Sequence, residues 1–324
     1  MSFPTAKIIC DSISPNGVRL TTMEVKLHRF ILAELNTHRM FSRNSASSRA
    51  IPIQKRIDSV LGDPAMPLFW GKNQAGMGAA VELDEDAKHM VINQWLVARD
   101  SAVSSVQNLL NIGLHKQLTN RLLEPWLWHT AILSSTEWDN FFGQRCAINP
   151  ETGQPYAQPE MYYLAMAMQK AYYESTPKFI DYIEWHLPYI TEEDCDWVNK
   201  YYGIGMYLPN EYEMTAHLKK ISAGRCARVS YLTHDGKRDP LEDIKLADKL
   251  ASANPMHPSP FEHQATPQIV VEDSRLGWAS PIYDPSDNSF CRPKGNFRGW
   301  IQYRHSFNNE TVKDFKPNYK RTEE

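Results

Sequence analysis

The sequence predicts an α+β protein, and three observations support this fold class. A turn signal, Ser14-Pro15-Asn16-Gly17, separates two strand-like runs near the start of the chain. Long stretches through the middle carry apolar residues at helical spacing. A short strand-like run follows much later, at residues 268–271. With 324 residues, the chain can form two domain-sized units or one large unit with insertions.

The predicted elements begin with a hairpin, whose strands cover residues 7–13 and 18–25. Helices are predicted wherever the apolar spacing is helical, at residues 27–38, 87–112, 114–123, 136–145, 160–173 and 213–230, and from Pro240 onward. Gly113 is a suitable stop for the second helix, and Asp239 is a suitable cap for the last. Residues 64–77 are rich in proline and glycine and predict a loop. A further short helix is predicted near residues 299–305.

Composition and charge exclude several classes of function. The net charge is −3, with 23% charged and 42% hydrophobic residues, which is ordinary for a globular domain. The chain lacks the global basic field that drives binding to a nucleic-acid polymer or a membrane surface. No apolar run reaches the length of a bilayer span. The start lacks the charged and apolar parts of a signal peptide, so we expect a cytoplasmic protein.

The cysteines predict neither disulfides nor a metal site. They are odd in number, scattered, and without a CxxC pair: Cys10, Cys146, Cys195, Cys226 and Cys291. Reduced thiols are therefore the expected state. No cluster of histidine and cysteine has the spacing of metal ligands, so we expect no bound metal. The common sequence signatures of phosphate loops, dinucleotide sites, zinc hydrolases and serine nucleophiles are also absent.

The densest chemical signal is the stretch THRMFSRNSASSR at residues 37–49. It holds many potential donors to an anion: His38, Arg39, Ser42, Arg43, Asn44, Ser45, Ser47, Ser48 and Arg49. The planar fork of arginine fits phosphate oxygens two at a time, and hydroxyls and loop amides complete such a cradle. Apolar residues flank the stretch on both sides, so the core holds both of its ends. We therefore expect a site for a small anionic ligand here, in preference to a solvated flexible loop.

Four segments together resemble the flavin-dependent thymidylate synthases, the ThyX family. The 37–49 stretch is similar to that family's RHRxxSxNExSxR signature. The second segment is RLLEP at residues 121–125, and the third is NFFGQR at 140–145 with AQPE at 157–160. The fourth combines ARVS at 227–230 with HPSPFEH at 257–263. In the family the fourth segment precedes the first, so the resemblance implies a circular permutation.

The resemblance implies a twisted, mainly antiparallel sheet flanked by helices, with a permuted element order and helical additions. Residues 1–209 would carry the RHR-like segment and a helical nucleotide-binding part, and residues 210–324 would carry a flavin-binding part. The two are expected to form one intertwined catalytic unit. Residues 53–85 and 175–215 are the apparent additions. The family's sites are shared between subunits, so a homotetramer is also expected.

The same resemblance implies FAD as the cofactor, with methylenetetrahydrofolate and NADPH as co-substrates. The expected reaction moves a one-carbon unit to carbon five of dUMP and gives dTMP. The expected FAD contacts are His38, Arg39, Ser42, Asn140, Ser230, His257, Ser259 and Glu262. The expected nucleotide contacts are Glu34, Ser47, Ser48, Arg49, Arg121 and Arg145.

Three of these residues are the expected catalytic group. Arg145 would stabilise negative charge on the pyrimidine ring in a site drier than water. Ser47 would position the nucleotide without attacking it. His257 matches a family histidine near the flavin ring and the folate.

Departures from the family signature leave other activities open. Thr37 replaces the first arginine, Ser45 replaces the usual glutamate, and Glu34 stands where glutamine is expected. A carboxylate at position 34 can alter the choice of base, because cytosine offers an amino donor where uracil offers a carbonyl acceptor. One alternative is therefore a dUMP or dCMP hydroxymethylase on the same scaffold. Another is a flavin- or nucleotide-binding protein without catalysis.

Overall fold

The computed structural model describes residues 2–203, 211–231, 239–269 and 296–311, together with four two-residue strands between the last two ranges. Its strands are β1 (Thr5–Ile13), β2 (Arg19–His28), β3 (Ser42–Ser45), β4 (Trp128–Ser135), β5 (Lys178–Phe179), β6 (Ala265–Pro267), β7 (Glu272–Asp273), β8 (Trp278–Ala279), β9 (Ile282–Tyr283), β10 (Phe290–Cys291) and β11 (Trp300–Gln302). Its α-helices are α1 (Leu32–Leu35), α2 (Ile53–Gly62), α3 (Glu85–Ile112), α4 (Lys116–Thr119), α5 (Asp139–Arg145), α6 (Pro159–Glu174), α7 (Glu192–Tyr202), α8 (Glu211–Arg228) and α9 (Pro240–Ala251). Short 3-10 helices cover Arg29–Ile31, Asn120–Trp126, Val229–Tyr231, Ser259–Phe261 and Tyr303–Ser306.

The central sheet has five strands in the order β3-β4-β2-β1-β5. All of its neighbouring strands are antiparallel except β1 and β5, which run parallel. The prediction of mixed helices with a mainly antiparallel sheet is therefore confirmed. Strand β3, which lies in the middle of the cationic stretch, forms the edge of the sheet beside β4.

The opening hairpin forms as the turn signal predicts. Gly17 has a φ of +74°, a left-handed conformation that favours glycine. Its amide donates to the Ser14 carbonyl at 2.9 Å and closes the turn. Ile13 then pairs with Arg19 across the hairpin, and the ladder continues to Thr5 and Lys26.

The sheet is covered on both faces, because side chains of the neighbouring strands β2 and β4 alternate between its two faces. On one face, Met23, Val25 and Leu27 of β2 pack in a core with the buried residues of α5 and α6. On the other face, Ile132 of β4 packs with Cys226 and Val229 from α8 and the turn after it. The central strands are therefore packed between α5 and α6 on one face and α8 on the other.

A second, helical core lies at the edge of the first. It joins α2, α3 and the 120–126 segment through buried residues: Ile57, Val60, Val103, Val106, Leu123, Trp126 and Leu127. Helix α3 begins at an Asp84 cap whose side chain accepts from the Ala87 amide, and it ends at Gly113 with φ +97°. The predicted stop is confirmed. This core brings α2 next to the segment that carries Arg121.

Several predicted elements differ from the structure. The helix predicted over 27–38 is shorter, because β2 continues to His28 and only Leu32–Leu35 is α-helical. The helix predicted to end before Pro125 gives way to a 3-10 segment that includes this proline. The helix predicted for 136–145 begins only at Asp139, because β4 ends at Ser135 and residues 136–138 form the connection between the strand and the helix. The predicted helix at 299–305 is strand β11 followed by a 3-10 turn.

The late strand is also displaced, to Ala265–Pro267, while residues 270–271 of the predicted strand lie outside the described residues. The proposed boundary at residue 209 falls within 204–210, which lie outside them too. Helices α2 and α7 lie in the two apparent additions and were not predicted.

In the part of the chain that the structure describes, no helix combines the length and apolarity that crossing a bilayer requires. The same part holds no group of three or more His, Cys, Asp or Glu side chains arranged for a metal ion. The four cysteines with described side chains are free: Cys10, Cys146, Cys195 and Cys226.

Candidate functional site

The structure sorts the predicted site residues into three groups along the cationic stretch. One group lies before β3, around His38 and Arg145. The second lies on β3 itself, around Asn44. The third lies after β3, around Glu124. Most of the predicted site residues belong to one of the three.

The first group is a chain of three polar side chains. Arg145, the last residue of α5, donates from Nε to His38 Nε2 at 2.9 Å. Its Nη1 donates to Glu34 Oε1 on α1 at 2.7 Å. Burial, followed by the charges of Arg145 and Arg43, lowers the pKa of His38 to about 4. His38 is therefore neutral near pH 7 and accepts through Nε2, which leaves its proton on Nδ1.

A cavity of about 460 Å³ opens beside this chain. Its lining comes from the turn before β3, from α5 and from the late segment: Thr37, His38, Arg39, Met40, Phe41, Glu137, Asn140, Phe141, Gln144 and Arg298. The rings of Phe41 and Phe141 lie 5.2 Å apart, edge to face, and give it an apolar wall. Two arginines at its rim supply positive charge, partly offset by the ion pair between Arg298 and Glu137 at 3.3 Å.

Asn44 joins the early and late parts of the chain. It lies on β3, is 7% exposed, and its Nδ2 donates to the Cys226 carbonyl. Its Oδ1 accepts from the hydroxyls of Ser230 at 3.2 Å and Ser259 at 3.4 Å. The Ser47 amide also donates to the Ser230 carbonyl at 2.9 Å. One side chain therefore holds three segments that lie far apart in the sequence.

A second link runs through Gln302 of β11. Its Nε2 donates to Ser42 Oγ at 2.8 Å and to the Glu262 carbonyl at 2.7 Å. The Glu262 carboxylate is paired with Arg304 at 2.6 Å. Ser42 is 1% exposed. In this structure Ser42, Ser230, Ser259 and Glu262 are therefore held by other residues of the protein.

The third group converges on one carboxylate oxygen. Glu124 Oε1 accepts from Ser48 Oγ at 2.7 Å, Arg121 Nη1 at 2.8 Å and Arg29 Nη2 at 3.1 Å. Burial alone would raise the pKa of Glu124, but Ser48 and the two arginines lower it below its ordinary value. The predicted phosphate ligands Ser48 and Arg121 thus lie together, with a carboxylate between them.

Besides Arg121, four predicted site residues are exposed: Arg39, Arg49, Asn140 and His257. Asn140 Oδ1 accepts from Gln144 at 3.2 Å. The side chains of the other three have no hydrogen-bond or ion-pair partner among the described residues. His257 lies two residues before Ser259, which contacts Asn44, so the turn that carries it belongs to the second group. Its place beside a flavin stays a prediction.

Three cationic or imidazole side chains around Glu124 were not predicted: the buried Arg56 and His129, and the partly buried Arg29. Arg56 lies on α2, one of the apparent additions, and is 4% exposed. Its sequence position carried a signal, because it has the helical spacing of the buried Ile57 and Val60 and thus lies on the apolar face of α2. A charged residue on such a face is rare unless it is paired.

Comparison with known proteins gives little support for an identity. No family model matches the sequence, and no curated protein matches it. Two similar solved structures are of a UMP/dUMP methylase PolB from Streptomyces cacaoi, one bound with 5-Br UMP and one with 5-Br dUMP. The first has 17% identity and a TM-score of 0.42, and covers 53% of this chain and 89% of that chain. The second has 16% identity and a TM-score of 0.40, and covers 53% and 90%. At these values the likeness carries no conclusion about the activity of this chain.

Proposed function

We propose that this protein transfers a one-carbon unit from methylenetetrahydrofolate to carbon five of dUMP in an FAD-dependent reaction that gives dTMP. The observation that carries the proposal is the set of contacts of Asn44. Through it, the RHR-like segment meets the ARVS and HPSPFEH segments, as a shared flavin site requires. Asn44 thus links the first and fourth motif segments. The bond of Ser48 to Glu124 links the second segment to the first, and the bond of Arg145 to His38 links the third.

The residues around the 460 Å³ cavity fit a flavin in their chemistry. Phe41 and Phe141 offer an apolar wall to a flat ring, and Arg39 offers a cation to a diphosphate. His38, Arg39 and Asn140 would hold the cofactor there, and His257 would approach it from the neighbouring turn. When bound and reduced by NADPH, the flavin would supply the hydride that completes the methyl group. We assign Ser42, Ser230, Ser259 and Glu262 to positioning the walls of this site.

Arg145 is the residue that we assign to the base. Carbon five of a pyrimidine becomes nucleophilic when negative charge can collect on the ring, and a guanidinium stabilises that charge in a partly dry site. Arg145 is held in place by His38 on one side and Glu34 on the other, so its orientation is set before the nucleotide binds. Ser47, Ser48, Arg49 and Arg121 would bind the nucleotide phosphate.

The proposed phosphate ligands lie near the C-terminal end of β3, and Arg145 lies near its N-terminal end, beside His38. That strand has four residues, which span about 13 Å at the usual rise. We propose that a homotetramer completes each site, so that one subunit supplies Arg145 and another supplies the phosphate ligands. Light scattering on the purified protein tests this, and a monomer that is fully active would contradict it.

The experiment that tests the function is a product assay. Purified protein is incubated with FAD, methylenetetrahydrofolate, NADPH and dUMP, and the nucleotide is analysed by mass spectrometry. We expect dTMP. A protein that cannot be reconstituted with FAD, or that binds FAD and leaves dUMP unchanged, would contradict the proposal.

A second candidate function is favoured by the ion pair between Glu34 and Arg145 at 2.7 Å. A carboxylate beside the base-binding arginine can accept from the exocyclic amine of cytosine, which uracil lacks. The candidate is therefore a reaction on dCMP, or a hydroxymethyl product formed when water takes the place of hydride. The same assay with dCMP separates these outcomes by product mass.

We predict that Glu34→Gln shifts the preference between the two nucleotides toward dUMP by about tenfold, or about 1.4 kcal/mol, because an amide can also donate to the uracil carbonyl. The measurement is kcat/KM for dUMP and dCMP in competition. If the ratio is unchanged, Glu34 does not contact the base.

A further inference from the structure

The cluster around Glu124 holds more positive charge than its single carboxylate balances. Arg29 and Arg121 both donate to Glu124 Oε1, and Arg56 lies close enough to interact with both Glu124 and Arg29 electrostatically. The three guanidinium groups therefore face one carboxylate among the described residues. The surplus is inside the protein, since Arg29 is 16% exposed and Arg56 is 4% exposed.

Among the described residues, the one favourable charge near Arg56 is that of Glu124, which Arg29 and Arg121 already share. The Arg56 side chain makes no hydrogen bond or ion pair with any residue that the structure describes, and its Nε is buried. Arg29 Nε is also buried without a partner. A buried cation without a counter-charge is costly, so side chains of this kind are normally paired. The arrangement is that of a site whose anion is supplied from outside the chain.

Neighbouring groups fit the same interpretation. His129, on β4 and 2% exposed, has a free Nε2. Burial, followed by the charges of Arg29 and Arg56, lowers its pKa to about 3. It is neutral near pH 7 and can donate a hydrogen bond without adding charge. Arg121 is half-exposed, and this gives the cluster an opening to solvent.

We propose that Arg29 and Arg56 bind the phosphate dianion of the nucleotide, and that Glu124 occupies its place until the nucleotide arrives. Three donors meet on Glu124 Oε1, as they would meet on a phosphate oxygen. The incoming phosphate accepts from these donors in place of Glu124. Because it is a dianion, it also supplies a counter-charge for Arg56. The assignment rests on the proposed function for the nucleotide, and it adds two residues and a competing carboxylate to the predicted phosphate ligands.

The test measures anion binding without flavin, folate or turnover. The purified protein is titrated with inorganic phosphate, dUMP and deoxyuridine, and the readouts are the thermal midpoint and calorimetric Kd. The variants are Arg56→Met, Arg56→Lys and Glu124→Gln. Lys170→Met is the control, because it also removes one positive charge but lies on the exposed side of α6.

We expect dUMP and phosphate to raise the thermal midpoint, with dUMP acting at lower concentration, and deoxyuridine to have no effect at phosphate-site concentrations. Arg56→Met weakens phosphate and dUMP binding at least tenfold while keeping or raising the midpoint of the ligand-free protein. Arg56→Lys restores part of the binding. Glu124→Gln tightens phosphate binding several-fold, because the donors lose their competing charge. Lys170→Met behaves as the wild type.

Three results would overturn the proposal. The first is wild-type phosphate and dUMP binding by Arg56→Met. The second is weaker binding by Glu124→Gln, which would make Glu124 a support of the site and not a competitor. The third is equal binding of dUMP and deoxyuridine by the wild type. Phosphate binding without any dTMP product would contradict the proposed reaction and leave the anion site standing. Normal turnover with an unchanged KM for dUMP in Arg56→Met would contradict the anion site and leave the proposed reaction standing.

Discussion

Two arginines of this protein are almost equally buried and have opposite surroundings. Arg225 on α8 is 5% exposed, and its guanidinium donates to Asp194, to Asp243 and to the Tyr189 carbonyl. Arg56 on α2 is 4% exposed and makes no side-chain hydrogen bond with the described residues. Burial removes both guanidinium groups from water, which is unfavourable. Only at Arg225 do carboxylates of the described residues offset this desolvation through direct ion pairs. The difference separates a structural charge from one that awaits a ligand.

The pKa values of the two guanidinium groups move in opposite directions. Burial alone would lower the pKa of Arg225, but hydrogen bonds and charges from Asp194 and Asp243 raise it. Burial, followed by the charge of Arg29, lowers the pKa of Arg56 to about 10. Both remain charged near pH 7. The two arginines therefore differ in the source of their counter-charge, and substitution of each arginine tests this difference.

The largest expected effect is on stability. We predict that Arg225→Met lowers the free energy of unfolding by about 3–5 kcal/mol. Among the described residues, Asp194 then keeps only its neutral Thr191 donors, and Asp243 keeps only Arg228, so buried negative charge loses its main counter-charge. Arg56→Met should leave the free energy of unfolding unchanged or raise it by about 1 kcal/mol, since no hydrogen bond or ion pair with a described residue is lost and a buried charge is removed. Urea unfolding of the two variants measures the difference.

Lys170→Met again controls for the loss of one surface charge. If Arg56→Met destabilises the protein as much as Arg225→Met, Arg56 has a structural role and the contrast between the two arginines is wrong.

The sequence predicts the parts of the fold whose signals are local. The hairpin needs only its turn residues, and α3, α6 and α9 need only helical spacing with a stop, a first-turn proline or an Asp cap. Strand β4 was missed because its polar residues look misplaced in isolation. In the structure Ser134 bonds to Thr22 Oγ1 at 2.6 Å and to His263 Nδ1 at 2.9 Å, so partners distant in the chain make it a buried strand.

The candidate site was predictable to a similar degree. The motif segments contain enough of the family's characteristic residues to be recognised. Glu34, which pairs with Arg145, stands where the family has glutamine, and this difference is visible in the sequence. The central position of Asn44 was not predicted, because its partners lie far away in the sequence. They are Cys226 on α8, Ser230 in the turn after α8, and Ser259 in the late proline-rich segment. Arg56 was not predicted because its lack of a partner is a property of the folded chain alone.

Arg145 has fewer partners than Arg225 and more than Arg56. Its loss should have the next largest effect. Its side chain is 20% exposed and has two partners, Glu34 and His38, which hold its orientation and leave part of its fork free. We predict that Arg145→Ala lowers turnover of dUMP by about 10²–10³-fold, or about 2.7–4 kcal/mol, because charge on the base loses its stabilising group. Bound FAD should remain close to the wild-type amount.

The measurements are single-turnover product formation and flavin absorbance of the purified variant. Arg145→Lys should recover part of the rate, since it restores a charge without the planar fork. If Arg145→Ala loses its flavin, this residue supports the cofactor and not the base.

The smallest expected effect, per pH unit, concerns two buried histidines whose hydrogen-bond partners are hydroxyl groups and not carboxylates as at Arg225. His186 bonds to Ser12 and Thr22, and His263 bonds to Ser134; burial lowers the pKa of each to about 3. The unfolded chain binds a proton near pH 6.5, whereas the folded protein does not until about pH 3. Stability is therefore complete above pH 6.5 and falls as the pH is lowered through this window.

Each such histidine should contribute a slope of about 1.4 kcal/mol per pH unit within that window. We predict that His263→Gln reduces the slope by about this amount, while the same substitution at exposed His89 serves as the matched control. Urea unfolding at pH 4.5, 5.5 and 7.5, chosen to bracket the window from about 3 to 6.5, measures it. A slope that is unchanged in His263→Gln would mean that this imidazole is protonated in the folded protein, and that its surroundings resemble those of Arg225 in supplying a negative charge.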